Sequence, residues 1–328
     1  MPGAALPVNT PHVQLLIAGA PLYGAISVEI EQVAYFAADR FRVTVALGDA
    51  AYFTSLGLQT LTIGIAVSDD GYVTLLTGQI DNIRLDLLAN TAILAGRDLS
   101  ARLIDTEISE TYANQTASQI ATSIAARHGL TPNVTATTTP VGQYYELDHA
   151  RSALSVHSRT GTEWNMLVVL AQAENFILSV TGTTLNFCPP LAGVPMLLTP
   201  QNCIGLSLDI AATLPTSTTV KSWNTRNKTV VTQTSGTSAG GSTTLIRPNL
   251  TSSQANNLAA NHLSVLTQHG TILRAEIPGE LALTPASPIL LSGTNTTLDR
   301  TYVIDAITRS IDARNGFVET IRAHALAS

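Results

Sequence analysis

At 328 residues the chain can hold two or three domains, each with its own core. Charged residues make up only 12% and the net charge is -6, with Lys221 and Lys228 the sole lysines, which excludes the clustered positive surface of a sequence-specific nucleic-acid binder. The first residues lack the basic and apolar regions of a signal peptide, no apolar run is long enough for a bilayer helix, and aromatics at 5% are too few for outer-membrane girdles; a soluble chain without stable membrane insertion is expected.

In chain order, residues 1–98 read as an all-β domain. His12 to Ile17 and Ile26 to Glu31 are predicted strands on either side of Gly19 to Gly24. From Asp39 to Leu47 the alternation is clean, with Phe41, Val43, Val45 and Leu47 on one face. Asp69-Asp70-Gly71 predicts a tight hairpin joining Leu61 to Val67 with Tyr72 to Leu76. Strands this short and closely spaced indicate a barrel or sandwich.

The period changes over residues 99–187, read as a small α+β module. Thr116-Ala117-Ser118-Gln119 is a capping box, in which side chains satisfy the free amides of a first helical turn. Ile120, Ile124 and intervening alanines form the apolar stripe, and Gly129 is placed as a left-handed stop. Thr160-Gly161-Thr162-Glu163 predicts a second box, opening a helix through Trp164, Leu167, Val168 and Ala171. Phe176 to Val180 and Thr184 to Phe187 then form a hairpin.

Residues 188–328 follow a proline-marked linker and return to strands, at Ile204 to Ile210, Thr218 to Trp223 and from Thr271 to Ala325. Residues 232–248, centred on Ser235 to Ser242, read as a flexible loop with too little apolar content to fold. Thr251-Ser252-Ser253-Gln254 is a third capping box, starting a helix over 251–268 through Leu258, Ala259, Leu263 and Leu266.

A short repeat ties the two β regions together. Ile80-Asp81-Asn82-Ile83 and Ile304-Asp305-Ala306-Ile307 share the form Ile-Asp-x-Ile, and each leads through a polar gap to a further β-rich run. Two similar β domains are therefore expected, with Ile80, Asp81, Ile83, Ile304, Asp305 and Ile307 on equivalent strands and the four isoleucines buried.

Candidate chemistry is sparse. His149 and His157 lack neighbouring ligands at metal-binding spacing, and Asp69-Asp70 reads as turn chemistry because Gly71 follows. Glu107 and Glu110 are the one carboxylate pair worth weighing for glycan hydrolysis, but a solvated turn is the better reading. Cys188 and Cys203 read as two free, buried thiols. No nucleophile elbow, phosphate loop or dinucleotide fingerprint occurs, so no enzyme, cofactor or metal site is predicted.

The order of segments resembles a known family. It runs through Leu76-Thr77-Gly78-Gln79-Ile80-Asp81, Gly96-Arg97-Asp98-Leu99-Ser100-Ala101-Arg102-Leu103-Ile104-Asp105 and Ala126-Arg127-His128-Gly129-Leu130. It continues with Gly161 to Phe187, Val220-Lys221-Ser222-Trp223-Asn224, the helix near Ala255, and Tyr302-Val303-Ile304-Asp305-Ala306-Ile307. This succession is similar to the contractile-phage tail hubs of the late control protein D group, and to their relatives in myophage baseplates and the amino-terminal part of VgrG. The resemblance implies a mainly β fold, two similar β-barrel tube domains (1–98 and 188–328) flanking the α+β module. It further implies a homotrimer that joins a sixfold tail tube protein to a threefold central spike, located in a virion tail or baseplate assembled in the host bacterial cytoplasm. Only Leu326-Ala327-Ser328 follow the last predicted strand, so a separate spike protein is expected. The acidic balance suits a lumen along which DNA slides, because negative walls repel phosphate. The competing reading is a peptidoglycan-binding or cell-wall-degrading tail component.

Overall fold

The computed structural model describes residues 11–326 apart from 35, 57–61, 69–71, 111, 113–114, 139–160, 191–192, 225–227, 238–239, 249 and 269. The predicted Asp69-Asp70-Gly71 turn, His149 and His157 therefore lie outside the described residues.

The first region contains β1 (His12–Ile17), β2 (Ala20–Leu22), β3 (Ala25–Val33), β4 (Arg40–Ala46), α1 (Ala50–Ser55), β5 (Thr62–Ser68), β6 (Val73–Asp86) and β7 (Thr91–Asp98). β4 shows why: Phe41, Val43 and Val45 are buried while Arg40 and Arg42 face out, the period of a half-buried strand. Each such burial contributes about 1.5–3 kcal/mol. Leu15, Ile17, Val28, Ile30, Leu76 and Leu94 complete this core.

Next come α2 (Ala101–Ile104), β8 (Glu107–Ile108), α3 (Ala117–Arg127), β9 (Thr131–Val134), β10 (Gly161–Thr162), α4 (Glu163–Glu174), β11 (Ile177–Thr181) and β12 (Thr184–Cys188). They share a separate core in which Ile120 and Ile124 of α3 meet Trp164, Leu167 and Leu170 of α4 over Leu185 and Phe187. The Thr116–Gln119 capping box is present in both directions, and Gly129 takes φ +67° after the helix. Thr160 of the second box lies outside the described residues, and the cap of α4 falls at Thr162. Thr162 caps α4 by accepting from the Asn165 amide, because Gly161 and Thr162 pair with β8 as strand and Glu163 turns inward.

The last region holds β13 (Met196–Leu198), β14 (Gly205–Ile210), β15 (Pro215–Asn224), β16 (Thr229–Gly236), β17 (Gly241–Ile246), α5 (Ser252–Gln268), β18 (Thr271–Pro278), β19 (Pro288–Leu291), β20 (Thr301–Asp312) and β21 (Gly316–Ala325). Residues 232–248 are not the flexible loop expected. β16 and β17 flank β15 on its two edges, and Val231 and Leu245 pack beside Val220 against Ala255 and Ala259 of α5. Polar strands need only a few inward apolar residues when a helix covers one face. The Thr251–Gln254 box at the start of α5 is formed as read.

The fold is mainly β with an α+β insert. Both β regions belong to one 13-stranded sheet, ordered β14-β18-β21-β20-β3-β4-β7-β6-β5-β1-β2, with β19 on β20 and β13 on β19. This path is open at β14 and β2, so the barrels implied by the resemblance are not closed by any ladder among the described residues. Within it, β3-β4-β7-β6-β5-β1 and β14-β18-β21-β20-β19-β13 follow the same spatial order, and the chain visits the corresponding strands in the same sequence. Corresponding pairs are antiparallel except the last, where β1 and β5 are antiparallel but β13 and β19 parallel. The cores meet where β3 pairs with β20: Ile311 and Phe317 enter the first core, while Ile304, Ile307 and Ile321 fill that of the last region.

Candidate assembly site

The two Ile-Asp-x-Ile stretches lie on β6 and β20, each the first strand of an antiparallel hairpin. In both hairpins the register slips at the aspartate: Ile80 faces Gly96 and Asn82 faces Ala95, while Ile304 faces Ala323 and Ala306 faces Arg322. Asp81 and Asp305 are thus the extra residues of two β-bulges, which bend a strand and re-aim its side chain. Ile80, Ile304 and Ile307 are buried as expected, but Ile83 is only half-buried because no strand covers that part of β6 among the described residues.

Each bulge carboxylate meets a basic side chain on the neighbouring strand. Arg97 Nε donates to Asp81 Oδ2 at 2.7 Å, and the same guanidinium donates to Asp105 at 2.9 Å. Partial burial pulls the Asp81 carboxyl upward, yet the hydrogen bonds from Arg97 and Gln79 outweigh it and leave the group below its ordinary range. A Cβ at Gly96 would lie 1.9 Å from the Gln79 carbonyl oxygen, so glycine is required where β7 closes on this bulge. In the other hairpin Asp305 and His324 are both buried, their Oδ1 and Nδ1 2.5 Å apart.

The joint between β3 and β20 buries a network of charged side chains. Arg309, 2% exposed, donates through Nε to Glu319 Oε1 at 2.7 Å, through Nη1 to Gln32 and through Nη2 to the Leu283 carbonyl. Gln32 in turn donates to Asp39 Oδ2 at 3.2 Å, and the Val33 amide donates to Asp39 Oδ1 at 3.0 Å. Burial drives three carboxyls upward: Asp39 to about 6, Asp98 to about 7 with repulsion from Asp39 adding to it, and Glu319 to about 7 despite Arg309. Sequence reading missed this network, since its members are scattered from Gln32 to Glu319; a buried-face arginine in the β20 alternation was the available signal.

Of the weighed carboxylates, Glu107 is exposed and Glu110 pairs with Arg127 Nη2 at 2.9 Å. That hydrogen bond holds the Glu110 carboxyl below its usual range, opposite to the raised value that a glycosidic general acid requires. The unforeseen member is Glu163, fully buried, whose two oxygens bond Arg127 and His128 and so lock α3 to α4. Tyr112, pushed up to about 12 by burial and by Glu110, donates to that carboxylate. Cys188 and Cys203 are free, but half-buried rather than buried, and burial raises both thiols. No group of His, Cys, Asp and Glu among the described residues is arranged to hold a metal ion.

No family model matches the sequence, and no curated protein matches it. Solved structures do match, over nearly its whole length. A tail protein from Neisseria meningitidis MC58 superposes with a TM-score of 0.76 at 14% identity, covering 96% of each chain. The 43 kDa tail protein of prophage MuSo2 from Shewanella oneidensis gives 0.73 at 18% identity, covering 96% of this chain and 98% of the other. This chain therefore has the fold of phage tail proteins. The fold extends to secretion machinery: the E. coli c3393 protein, a component of the type VI secretion system described as similar to phage T4 tail proteins, gives 0.58 at 14% identity over 96% of this chain and 77% of its own. The tail-hub resemblance drawn from the sequence is met at the level of fold.

Proposed function

We propose that this chain is a non-enzymatic hub of a contractile tail or related injection machine, acting as a homotrimer that joins a tail tube to a separate spike protein in the tail or baseplate of the particle. The observation that carries this reading is the match to two tail proteins over nearly the full length of each chain. The repeated strand order supports it further. Residues 1–98 and 188–328 are read as copies of one tube domain, with Ile80, Asp81 and Ile83 corresponding to Ile304, Asp305 and Ile307, and residues 99–187 as the module between them. A trimer of such duplicated chains offers six similar units to a sixfold tube and threefold symmetry to a spike. The test is the mass of the purified chain, alone across a concentration series and mixed with the tube and spike proteins of its own particle. A trimer is expected; a stable dimer, or a monomer even beside both partners, overturns the reading.

A further inference from the structure

Residues 210–275 contain none of the chain's 23 acidic residues but five of its 17 Lys and Arg: Lys221, Arg226, Lys228, Arg247 and Arg274. The stretch is formally +5 in a chain whose total is -6, and both lysines of the molecule lie in it. Its middle folds as β15, β16, β17 and α5, a three-stranded sheet with its own small core under the helix. So local a charge asymmetry points to an anionic partner for this part of the molecule.

Successive residues of β15 turn to opposite faces. Thr218, Val220 and Ser222 are buried on the α5 side, where Val220 meets Ala255 and Ala259 and the Ser222 hydroxyl accepts from the Leu250 amide at 2.8 Å. Thr219, Lys221 and Trp223 therefore line the other face. There Trp223 faces Val230, Lys221 sits between Thr232 and Ile246, and Thr219 sits between Thr234 and Thr244. Among the described residues no helix or strand covers this face: Trp223, Val230 and Ile246 are 49%, 63% and 73% exposed, and Lys221 is exposed beside them. Lys228, just before β16, and Arg247, just after β17, are exposed at the same end of the sheet. None of these three cations forms an ion pair among the described residues, whereas Arg274 is held by Asp209.

The mixture of side chains selects among anionic partners. A protein interface gathers its apolar residues in a core from which lysine is depleted, yet Lys221 lies in the middle of this cluster. Single-stranded nucleic acid is held on successive aromatic platforms, and here Val230 and Ile246 stand where further rings would be needed. A phospholipid surface suits every part. Tryptophan favours the boundary between headgroups and acyl chains, aliphatic side chains enter it, and lysine reaches back to the phosphates along its own apolar stem. Such a contact needs no crossing segment, and no described helix is long and apolar enough to cross a membrane.

We infer that the open face of the β16-β15-β17 sheet docks on an anionic phospholipid bilayer, with Trp223, Val230 and Ile246 entering the headgroup boundary and Lys221, Lys228 and Arg247 meeting the phosphates. Docking of this kind is peripheral and reversible, since three cations and three apolar side chains fall far short of an anchoring helix. It does not depend on the hub reading, because every residue in the contact comes from one copy.

The full-length chain is mixed at low salt with vesicles of phosphatidylglycerol and phosphatidylcholine in equal parts, or of phosphatidylcholine alone, and the bound fraction is measured by flotation. Trp223 supplies a second signal, because the other tryptophan, Trp164, is 4% exposed. Binding to the anionic vesicles should exceed binding to the neutral ones by at least about tenfold, with a blue shift of tryptophan emission. Lys221→Gln/Lys228→Gln should weaken anionic binding by about 25-fold, at about fivefold for each cation lost. Ile246→Ser should weaken it too while leaving its salt dependence unchanged. Equal binding to both vesicles, or undiminished binding by the double lysine variant, overturns the proposal. Binding of an oligo-dT strand without binding of vesicles also overturns it and assigns the face to nucleic acid. A chain that assembles as a trimer but ignores every vesicle overturns the membrane surface and leaves the hub reading standing; a chain that stays monomeric beside its partners yet binds anionic vesicles does the reverse.

Discussion

The two Ile-Asp-x-Ile hairpins have the same bulge, the same slip of register and a basic side chain facing each aspartate, yet their interiors differ. The side chains of Arg97 and Asp81 are 28% and 31% exposed, while those of His324 and Asp305 are 7% and 5% exposed. The local sequences do not explain this. The partners differ: β3 lies along β20 from Ala306 onward, whereas β5 pairs with β6 only as far as Gln79 among the described residues. One backbone motif thus supports either a solvated pair or a buried one, according to what a distant strand does.

The largest expected effect is at the covered hairpin. Arg309→Ala should cost about 3–5 kcal/mol in urea unfolding, because it leaves Glu319 buried without its cation. The matching residue on β6 is Leu85, half-buried and holding no charge, so Leu85→Ala should cost clearly less. Equal losses would break the comparison.

Second is pH. Asp39, Asp98 and Glu319 have folded values raised to about 6, 7 and 7, above those of unfolded carboxyls. The folded state therefore binds protons that the unfolded state does not, and the penalty of burying charge is complete above pH 7 and relieved as pH falls. Unfolding free energy should rise by several kcal/mol from pH 8 to pH 5. Asp81 and Glu110 are shifted downward, so the stability they contribute is present above the unfolded carboxylate range and lost below it. Denaturation across pH 3–8 should give a maximum near pH 5, and Asp98→Asn should flatten the neutral limb. A profile still rising toward pH 8 would show that the joint carboxyls are not raised.

Third, Ile307→Val should cost about 0.5–1.5 kcal/mol, with Ile83→Val at the low end in the isolated chain. Smallest is Asp81→Asn, whose exposed pair with Arg97 is worth at most about 1 kcal/mol and fades in salt. A thermal-melt shift as large as that of Asp305→Asn would remove the distinction between the hairpins.

What could be read from the sequence was whatever a few neighbouring residues decide. The alternation of Phe41, Val43 and Val45 and the boxes at Thr116 and Thr251 are local, and each is found in place. The β16–β17 ribbon was missed because Ser, Thr and Gly leave no apolar alternation, and its order comes from β15 and α5. The shifted start of α4 has a similar cause: Glu163 reads as a capping residue, but Arg127 and His128, from another helix, draw its carboxylate inside. The candidate site was legible only as two four-residue copies. Its partners Arg97, His324, Gln32 and Glu319 become neighbours through strand order, which no local pattern encodes.

The Arg309–Gln32 contact spans 277 residues of chain, and that separation bears on how the molecule comes into being. On a ribosome adding about 5–20 residues per second, β3 emerges roughly 15–55 s before the strand that will cover it. Throughout that interval its edge is an unsatisfied template in a crowded cell. Closing a loop of this length is slow relative to local pairing, so the hairpins should form early and the joint last. Refolding from urea should accordingly show secondary structure returning before Trp164 and the joint reach their native surroundings. A cell making many copies at once faces its greatest risk of mispairing during synthesis, before any finished chain meets another.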